Sequence, residues 1–377
     1  MQRRQFMRRV ARGAGITAAS IARPLFAQAD KRLLLGQSCA LTGPAGELGT
    51  QFQRGARLYF DRLNQRGGFG GRTIELRTVD DGYEPDRCQE NTDKLLRADV
   101  FALFGYVGTP TGLAALPLAS AARVPFFAPF TGAQALRDPF NRYAFHVRAS
   151  YFDETARIVN QLTTLGTRRI AVFHQNDSYG KAGLEGVSRA LKPNGLAPIA
   201  TATVERNAVE VAEAVKTLLA AGPEAIVQIS AYKSCAAFIR AARAAGYTRS
   251  FYNVSFVGTQ ALSRELGAEA HGVIVSQVMP YPFTPASALA AEYLGAGQGV
   301  TGFEPNYSSI EGYVAAKVFA EGLKRASGAG REDLVNGLET LRDHDLGGFF
   351  VDFNPRKHTG SSFAEMTLLD REGRVRR

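Results

Sequence analysis

The turn Phe104-Gly105-Tyr106-Val107-Gly108-Thr109-Pro110-Thr111 joins a short apolar run to a helix-forming one, and its residue types suit the capture of an anion. Gly105 and Gly108 let backbone come close to a guest, Thr109 is suited to act as N-cap, and Pro110 suits the first helical position. The unpaired N–H groups of such a helix end attract a carboxylate. Turns of similar make-up follow at Pro129 to Ala133, Asn176 to Gly180, Ser230 to Lys233 and Asn253 to Gly258. In open α/β sheets, ligands gather beyond the carboxyl ends of strands. The expected ligand-binding residues are therefore Tyr106, Gly108, Thr109, Phe130, Thr131 and Gly132 from the first half, with Tyr179, Ser230, Tyr232 and Ser255 from the second.

Catalytic and cofactor chemistry finds little support. Gly297-Gln298-Gly299-Val300-Thr301-Gly302 has the dinucleotide-loop spacing but follows a helix and not a strand, so it reads as a surface loop. His146, His174, His271, His344 and His358 are scattered without metal-ligand spacing, and no nucleophile stands beside a plausible base. No cofactor, metal or catalytic residue is expected. The adjacent carboxylates Asp80 and Asp81 point opposite ways on a strand end, which suggests one helix cap and one turn residue. Cys39, Cys88 and Cys235 are too far apart for a metal motif and read as buried small apolar residues.

These turns need rigid elements to hold them. Strands are predicted over Leu33 to Gln37, Ile74 to Val79, Phe101 to Phe104, Ile170 to Phe173, Ile199 to Val204, Ala225 to Ile229 and Gly272 to Ser276, alternating with amphipathic helices. In the first helix Phe52, Ala56, Tyr59, Phe60 and Leu63 share a stripe that Gly67-Gly68 terminates. Helices near Ala286 to Leu294, Tyr307 to Ala326 and Arg331 to Arg342 precede the apolar runs Phe349 to Phe353 and Ala364 to Leu369, which read as a hairpin-like strand couple. The pattern predicts an α/β protein of two Rossmann-like lobes with parallel-type sheets. Residues 30–148 plus about 281–345 form the first lobe and 149–280 plus about 346–377 the second.

The first residues carry Arg3-Arg4 ahead of Phe6, a weakly apolar run and Ala27-Gln28-Ala29, the pattern of an export signal of twin-arginine type cleaved near Ala29. Its removal lowers the formal charge from +10 to +4, which disfavours nucleic-acid binding. No later stretch is apolar enough to span a membrane.

Gly36-Gln37-Ser38-Cys39-Ala40-Leu41-Thr42-Gly43-Pro44, Gly55-Ala56, Asn64 to Gly68, Asp80-Asp81 and Tyr179-Gly180 together resemble, in order and spacing, the Leu/Ile/Val-binding proteins of ABC transporters, of the type I periplasmic-binding fold. The resemblance implies a monomeric periplasmic receptor that closes on a small ligand and passes it to an inner-membrane permease. A ligand carboxylate would sit at Thr109 and at Phe130 to Gly132, under Tyr179 and Tyr232. Ser255 stands where amino-acid binders carry an acid for the α-ammonium, Leu48 where they carry a tyrosine, and Tyr83 and Gly108 where some carry a disulfide. A buried ammonium without a carboxylate partner is costly, so the ligand is expected to bear a carboxylate but not necessarily an amino group. A ligand sensor for a membrane signalling receptor and an exported enzyme using the same cleft are the alternative functions.

Overall fold

The computed structural model describes residues 32–377; the expected export signal over residues 1–29 lies outside them. The chain opens with β1 (Arg32–Cys39), α1 (Gly46–Gln65), β2 (Thr73–Asp80), α2 (Pro85–Arg97), β3 (Ala102–Phe104), α3 (Thr109–Ala121), β4 (Phe126–Phe127) and β5 (Ala144–Phe145). Their strands form a five-stranded parallel sheet in the order β2-β1-β3-β4-β5. Leu33 and Leu35 of β1 and all of β3 are buried, as expected of parallel strands covered on both faces. Phe52, Ala56 and Phe60 bury one stripe of α1, and Gly67 and Gly68 end it with φ of 98° and 71°.

A second α/β series follows: α4 (Tyr151–Thr164), β6 (Ile170–Gln175), α5 (Ser178–Leu191), β7 (Thr201–Val204), α6 (Ala212–Ala220), β8 (Ala225–Ile229), α7 (Tyr232–Ala244), β9 (Ser250–Asn253), α8 (Thr259–Leu266) and β10 (Val273–Gln277). The remainder supplies α9 (Ala288–Gly297), α10 (Tyr307–Arg325), α11 (Arg331–Leu338), β11 (His344–Asp345), β12 (Phe350–Val351), β13 (Glu365–Leu369) and β14 (Val375–Arg376). The second sheet has seven strands in the order β14-β13-β10-β9-β8-β6-β7. The α/β architecture of two mainly parallel sheets is as the sequence predicts, although β4, β5, β9, β11 and β14 were not foreseen. Two-residue strands such as β4 and β5 carry too few positions to show a period.

The closing apolar runs do not pair with each other. β12 pairs with β11, whereas β13 pairs antiparallel with β10, placing Leu368 opposite Ile274 and Glu365 opposite Gln277. Residues 346–358, which the sequence places in the second lobe, lie against the first: Phe353 and His358 pack on Phe145 of β5, the His358 ring stacked at 3.8 Å. The chain therefore returns to the second sheet only after this point. The late return runs beside the first crossing, where His146 N–H donates to His358 O (2.8 Å) and Gly360 N–H to His146 O (2.7 Å). Such backbone pairing resists sliding of one crossing segment past the other.

α10 lies across α1 at very close range. A Cβ at Gly55 would fall 1.7 Å from Ser309 O, and one at Gly312 would fall 2.0 Å from Phe52 O. Only hydrogen side chains permit that crossing, and it fixes where the N-terminal half of α10, with Glu311, meets the cleft. Of the helix cap and turn residue expected of Asp80 and Asp81, the turn role holds and the cap does not, because the N-cap of α2 is Glu84, with no side-chain cap. Asp80 instead accepts from Leu41 N–H (2.8 Å) and the Thr42 hydroxyl (2.6 Å), while Asp81 accepts from Ser38 (2.7 Å) and Tyr83 N–H (2.8 Å). Cys39, Cys88 and Cys235 are buried, as predicted, and all three are free thiols.

Candidate ligand-binding cleft

Gly108, not Thr109, is the N-cap of α3; Thr109 is its first helical residue and Pro110 its second. The reason is the backbone at Gly108, whose φ of 106° is readily reached only by glycine. Relieved of capping, the Thr109 hydroxyl lies 2.7 Å from that of Thr131, which in turn lies 3.3 Å from the Tyr151 hydroxyl. The first N–H groups of α3 have no partner within their own helix, and they open beside this hydroxyl pair. Both threonines are buried.

The Tyr83 ring covers Gly108, since a Cβ there would fall 2.1 Å from it. The ring thus packs on Gly108 at the positions where some Leu/Ile/Val-binding proteins carry a disulfide. Gly132 serves Tyr151 in the same way: a Cβ would fall 2.6 Å from the Tyr151 backbone nitrogen. Tyr106 is a correction. Its ring points to the opposite face of the sheet, into a satellite core with Cys88, Leu95 and Phe126, and its hydroxyl bonds Thr92 (3.1 Å). Its part in the cleft is confined to backbone, where its carbonyl accepts from Phe130 N–H (2.7 Å).

On the second lobe, Asp177 caps α5 by accepting from Tyr179 N–H (2.9 Å) and Gly180 N–H (3.3 Å). That cap aims the Tyr179 ring at the cleft, 5.3 Å from Tyr151 and 4.6 Å from Phe256. The Tyr179 and Ser230 hydroxyls are both buried without a hydrogen-bond partner. Tyr232 is buried too, and its hydroxyl faces the backbone N–H of Glu47 on the first lobe.

Ser255 is committed elsewhere. Its N–H donates to Glu154 Oε2 (2.7 Å) and its hydroxyl to Glu154 Oε1 (3.0 Å), while the Arg148 guanidinium donates to the same hydroxyl. Ser276 adds a further donor to Glu154 (2.5 Å), and Arg148 lies 3.3 Å from Glu154 and 3.4 Å from Glu311. The Arg148 guanidinium also lies 4.9 Å from the centre of the Phe130 ring. Burial pushes the Glu311 carboxyl up to about 7, with Arg148 pulling down and Glu154 pushing up.

Arg148, Glu154 and Glu311 were missed by motif reading. A signal was present: Glu154 shares the buried stripe of Ile158 and Leu162, and Glu311 interrupts a helix buried along nearly its whole length. A carboxylate on an apolar stripe requires a buried partner. The consequence for ligand chemistry is direct. Glu154 and Glu311 are committed to Arg148 and the serines, and Asp177 to its cap, Gln175 (2.6 Å) and Arg206 (3.6 Å). None of these carboxylates stands free for a ligand ammonium.

The lobes touch around this region. Gln175 donates to the Tyr83 hydroxyl (3.3 Å), Arg206 to Glu84 (2.8 Å), and Asn207 to Glu84 (2.7 Å) and Gly82 O (3.0 Å). On the other flank Arg264 pairs with Glu47. The cavity lined by Phe130, Ser255 and Glu311 is accordingly small, about 10 Å³. A larger cavity of about 580 Å³ lies outside the cleft between α1 and residues 298–304, an open groove beside exposed Arg54 and Arg57. Convergence of buried hydroxyls and rings from both lobes favours the cleft as the site, despite its smaller void. Among the described residues no cluster of His, Cys, Asp or Glu suited to a metal occurs, and no helix is long and apolar enough to cross a membrane.

Two mainly parallel sheets, joined by repeated crossings and meeting at a hydroxyl- and ring-lined cleft, define a two-lobed binding protein. The family model described as periplasmic binding protein matches residues 34–371, and the chain belongs to that family, in the type I class of the branched-chain amino-acid binders. It is 24% identical over 319 residues to Leu/Ile/Val-binding protein homolog 7 of Brucella abortus, covering 80% of this chain and 79% of the relative. The crystal structure of a possible leucine/isoleucine/valine-binding protein from Rhodopirellula baltica shares 33% identity with a TM-score of 0.86, over 90% of this chain and 95% of that one. At 18% identity and a TM-score of 0.82, a branched-chain amino acid ABC transporter structure from Thermus thermophilus with bound valine shares the fold, over 92% of this chain and 95% of that one.

Proposed function

We propose that the protein is a periplasmic receptor that captures a small carboxylate-bearing ligand by closure of its two lobes and delivers it to an inner-membrane ABC permease. The observation that carries the reading is the Thr109–Thr131 hydroxyl pair, 2.7 Å apart at the N-terminus of α3. Their mutual bond uses one hydroxyl proton, and the remaining hydroxyl proton and the free helix N–H groups present donors to an anion, whose charge the helix dipole favours. Thr109, Phe130, Thr131, Gly132, Tyr179 and Ser230 form the binding surface, and Gly108 shapes it. The lobes divide at residue 148, near residue 280, and again beyond His358. Because the cleft carboxylates are committed, an α-ammonium is not a required feature of the ligand. Calorimetry is expected to find 4-methyl-2-oxopentanoate or phenylpyruvate binding at least as tightly as leucine. Tight binding of leucine or valine, with no binding of either oxo acid or of an aromatic acid, overturns this reading.

Arg206 and Asn207 of the second lobe grip Gly82 and Glu84 of the first, and these bonds exist only when the lobes meet. Ligand affinity rises with the population of the closed state. Arg206→Ala is therefore expected to weaken binding about 3- to 10-fold through faster release, the worth of one partly exposed pair. Stopped-flow dissociation checks it, and an unchanged release rate removes this pair from the closing mechanism.

A further inference from the structure

Resting on the carboxylate-receptor reading, we infer that the ligand is an aryl carboxylate carrying a hydrogen-bonding group on or near its ring and no ammonium. Three observations converge. The first is the wall of the cleft. Tyr83 and Phe130 come from the first lobe, Tyr151, Tyr179 and Phe256 from the second, and the rings form one continuous series. Phe256 is the centre, 4.6 Å from Tyr179, 5.6 Å from Phe130 and 5.8 Å from Tyr83, and Tyr151 continues the series 5.3 Å from Tyr179. Phe256 meets Phe130 and Tyr83 across the lobe boundary, so opening the lobes uncovers ring faces. Aromatic rings pair best at centroid separations of about 4.5–7 Å, the spacing these rings hold against one another when the lobes meet, and a flat guest that enters as the lobes part takes the place of the partner each ring face loses. A branched aliphatic guest has no flat face to offer.

The second observation is the unpaired polarity of the second lobe. The Tyr179 and Ser230 hydroxyls, at the ends of the turns after the neighbouring strands β6 and β8, are fully buried with no partner. Leaving a buried hydroxyl unpaired is unfavourable, and a polar substituent on the guest relieves it. The Thr109–Thr131 pair anchors the carboxylate on the opposite lobe, so the guest carries polar groups towards both lobes with a ring between. The third observation is the commitment of Glu154 to Ser255 N–H, the Ser255 and Ser276 hydroxyls and Arg148, which leaves an ammonium without a counter-charge.

The test is calorimetry on full-length mature protein freed of any co-purified ligand by unfolding and refolding, with 4-hydroxybenzoate, benzoate, cyclohexanecarboxylate, 4-methyl-2-oxopentanoate and phenylalanine as probes. 4-Hydroxybenzoate is expected to bind about 10-fold or more tighter than cyclohexanecarboxylate, with benzoate between them and phenylalanine weakest. Phe256→Leu is expected to narrow the gap between benzoate and cyclohexanecarboxylate. Tyr179→Phe is expected to lower affinity for 4-hydroxybenzoate more than for benzoate. If cyclohexanecarboxylate or the oxo acid binds as tightly as the aryl acids, the aryl inference is overturned while the carboxylate receptor stands. If no carboxylate binds, the receptor reading itself fails.

Discussion

Arg148→Met is expected to lower the folding stability by about 3–5 kcal/mol, because it strands two buried carboxylates beside a side chain of similar length without charge. Glu154 and Glu311 lie 3.3 Å and 3.4 Å from Arg148, and all three are nearly inaccessible to solvent. The loss is also pH-dependent. In the folded protein the Glu311 carboxyl is raised from 4.5 to about 7. A carboxyl raised on folding contributes stability that is full below its unfolded value and lost as pH rises through its folded one, so the wild type is expected to weaken between about pH 4.5 and 7, by on the order of 3 kcal/mol. Removing Arg148 takes away the cation that holds Glu311 down, so the variant keeps losing stability above pH 7. Urea unfolding at pH 5 and pH 8 checks this: the deficit of the variant is expected to be smaller at pH 5. Equal deficits at both values attribute it to lost packing alone. Adding Glu311→Gln to the variant is expected to restore part of the stability at pH 8, since it deletes one stranded charge.

Thr131→Val is expected to weaken binding of the carboxylate ligand by about 10- to 100-fold, the worth of a hydrogen bond to a charged group. Thr131 stands between Thr109 (2.7 Å) and Tyr151 (3.3 Å), so its loss breaks a line of hydroxyls running from one lobe to the other. Thr109→Val is expected to act similarly, and the double variant to be less damaging than the two effects added, because both residues serve one network. Calorimetry with the tightest-binding acid measures both. Affinity retained within about twofold in Thr131→Val removes the hydroxyl pair from the carboxylate site.

Much of the frame was legible because it rests on local rules. Ala225 to Ile229 is apolar but for Gln228 and is a buried strand end to end. The phenylalanine stripe of α1 and the two glycines that stop it were equally plain. The closing strands were misjudged because apolar runs close in sequence favour a hairpin, whereas Glu365–Leu369 gains a longer partner in β10, a strand far away in the chain. Turn composition singled out Thr109, Thr131 and Tyr179, which the fold gathers around Tyr151. It misplaced the Tyr106 ring, because a strand end does not reveal which face each residue takes.

The sequence by itself determined the α/β alternation, the turns that gather at the strand ends, and the absence of an acid at Ser255, since these depend on residue type and spacing over a few residues. Tertiary structure alone decided what surrounds Ser255. Ser276 and Glu311 lie far along the chain from Arg148 and Glu154 and share no motif with them, and only the closeness of α10 to α1 and the crossing of residues 146–150 bring these groups into contact. Coulombic pairing in a buried site acts through space and is indifferent to sequence distance.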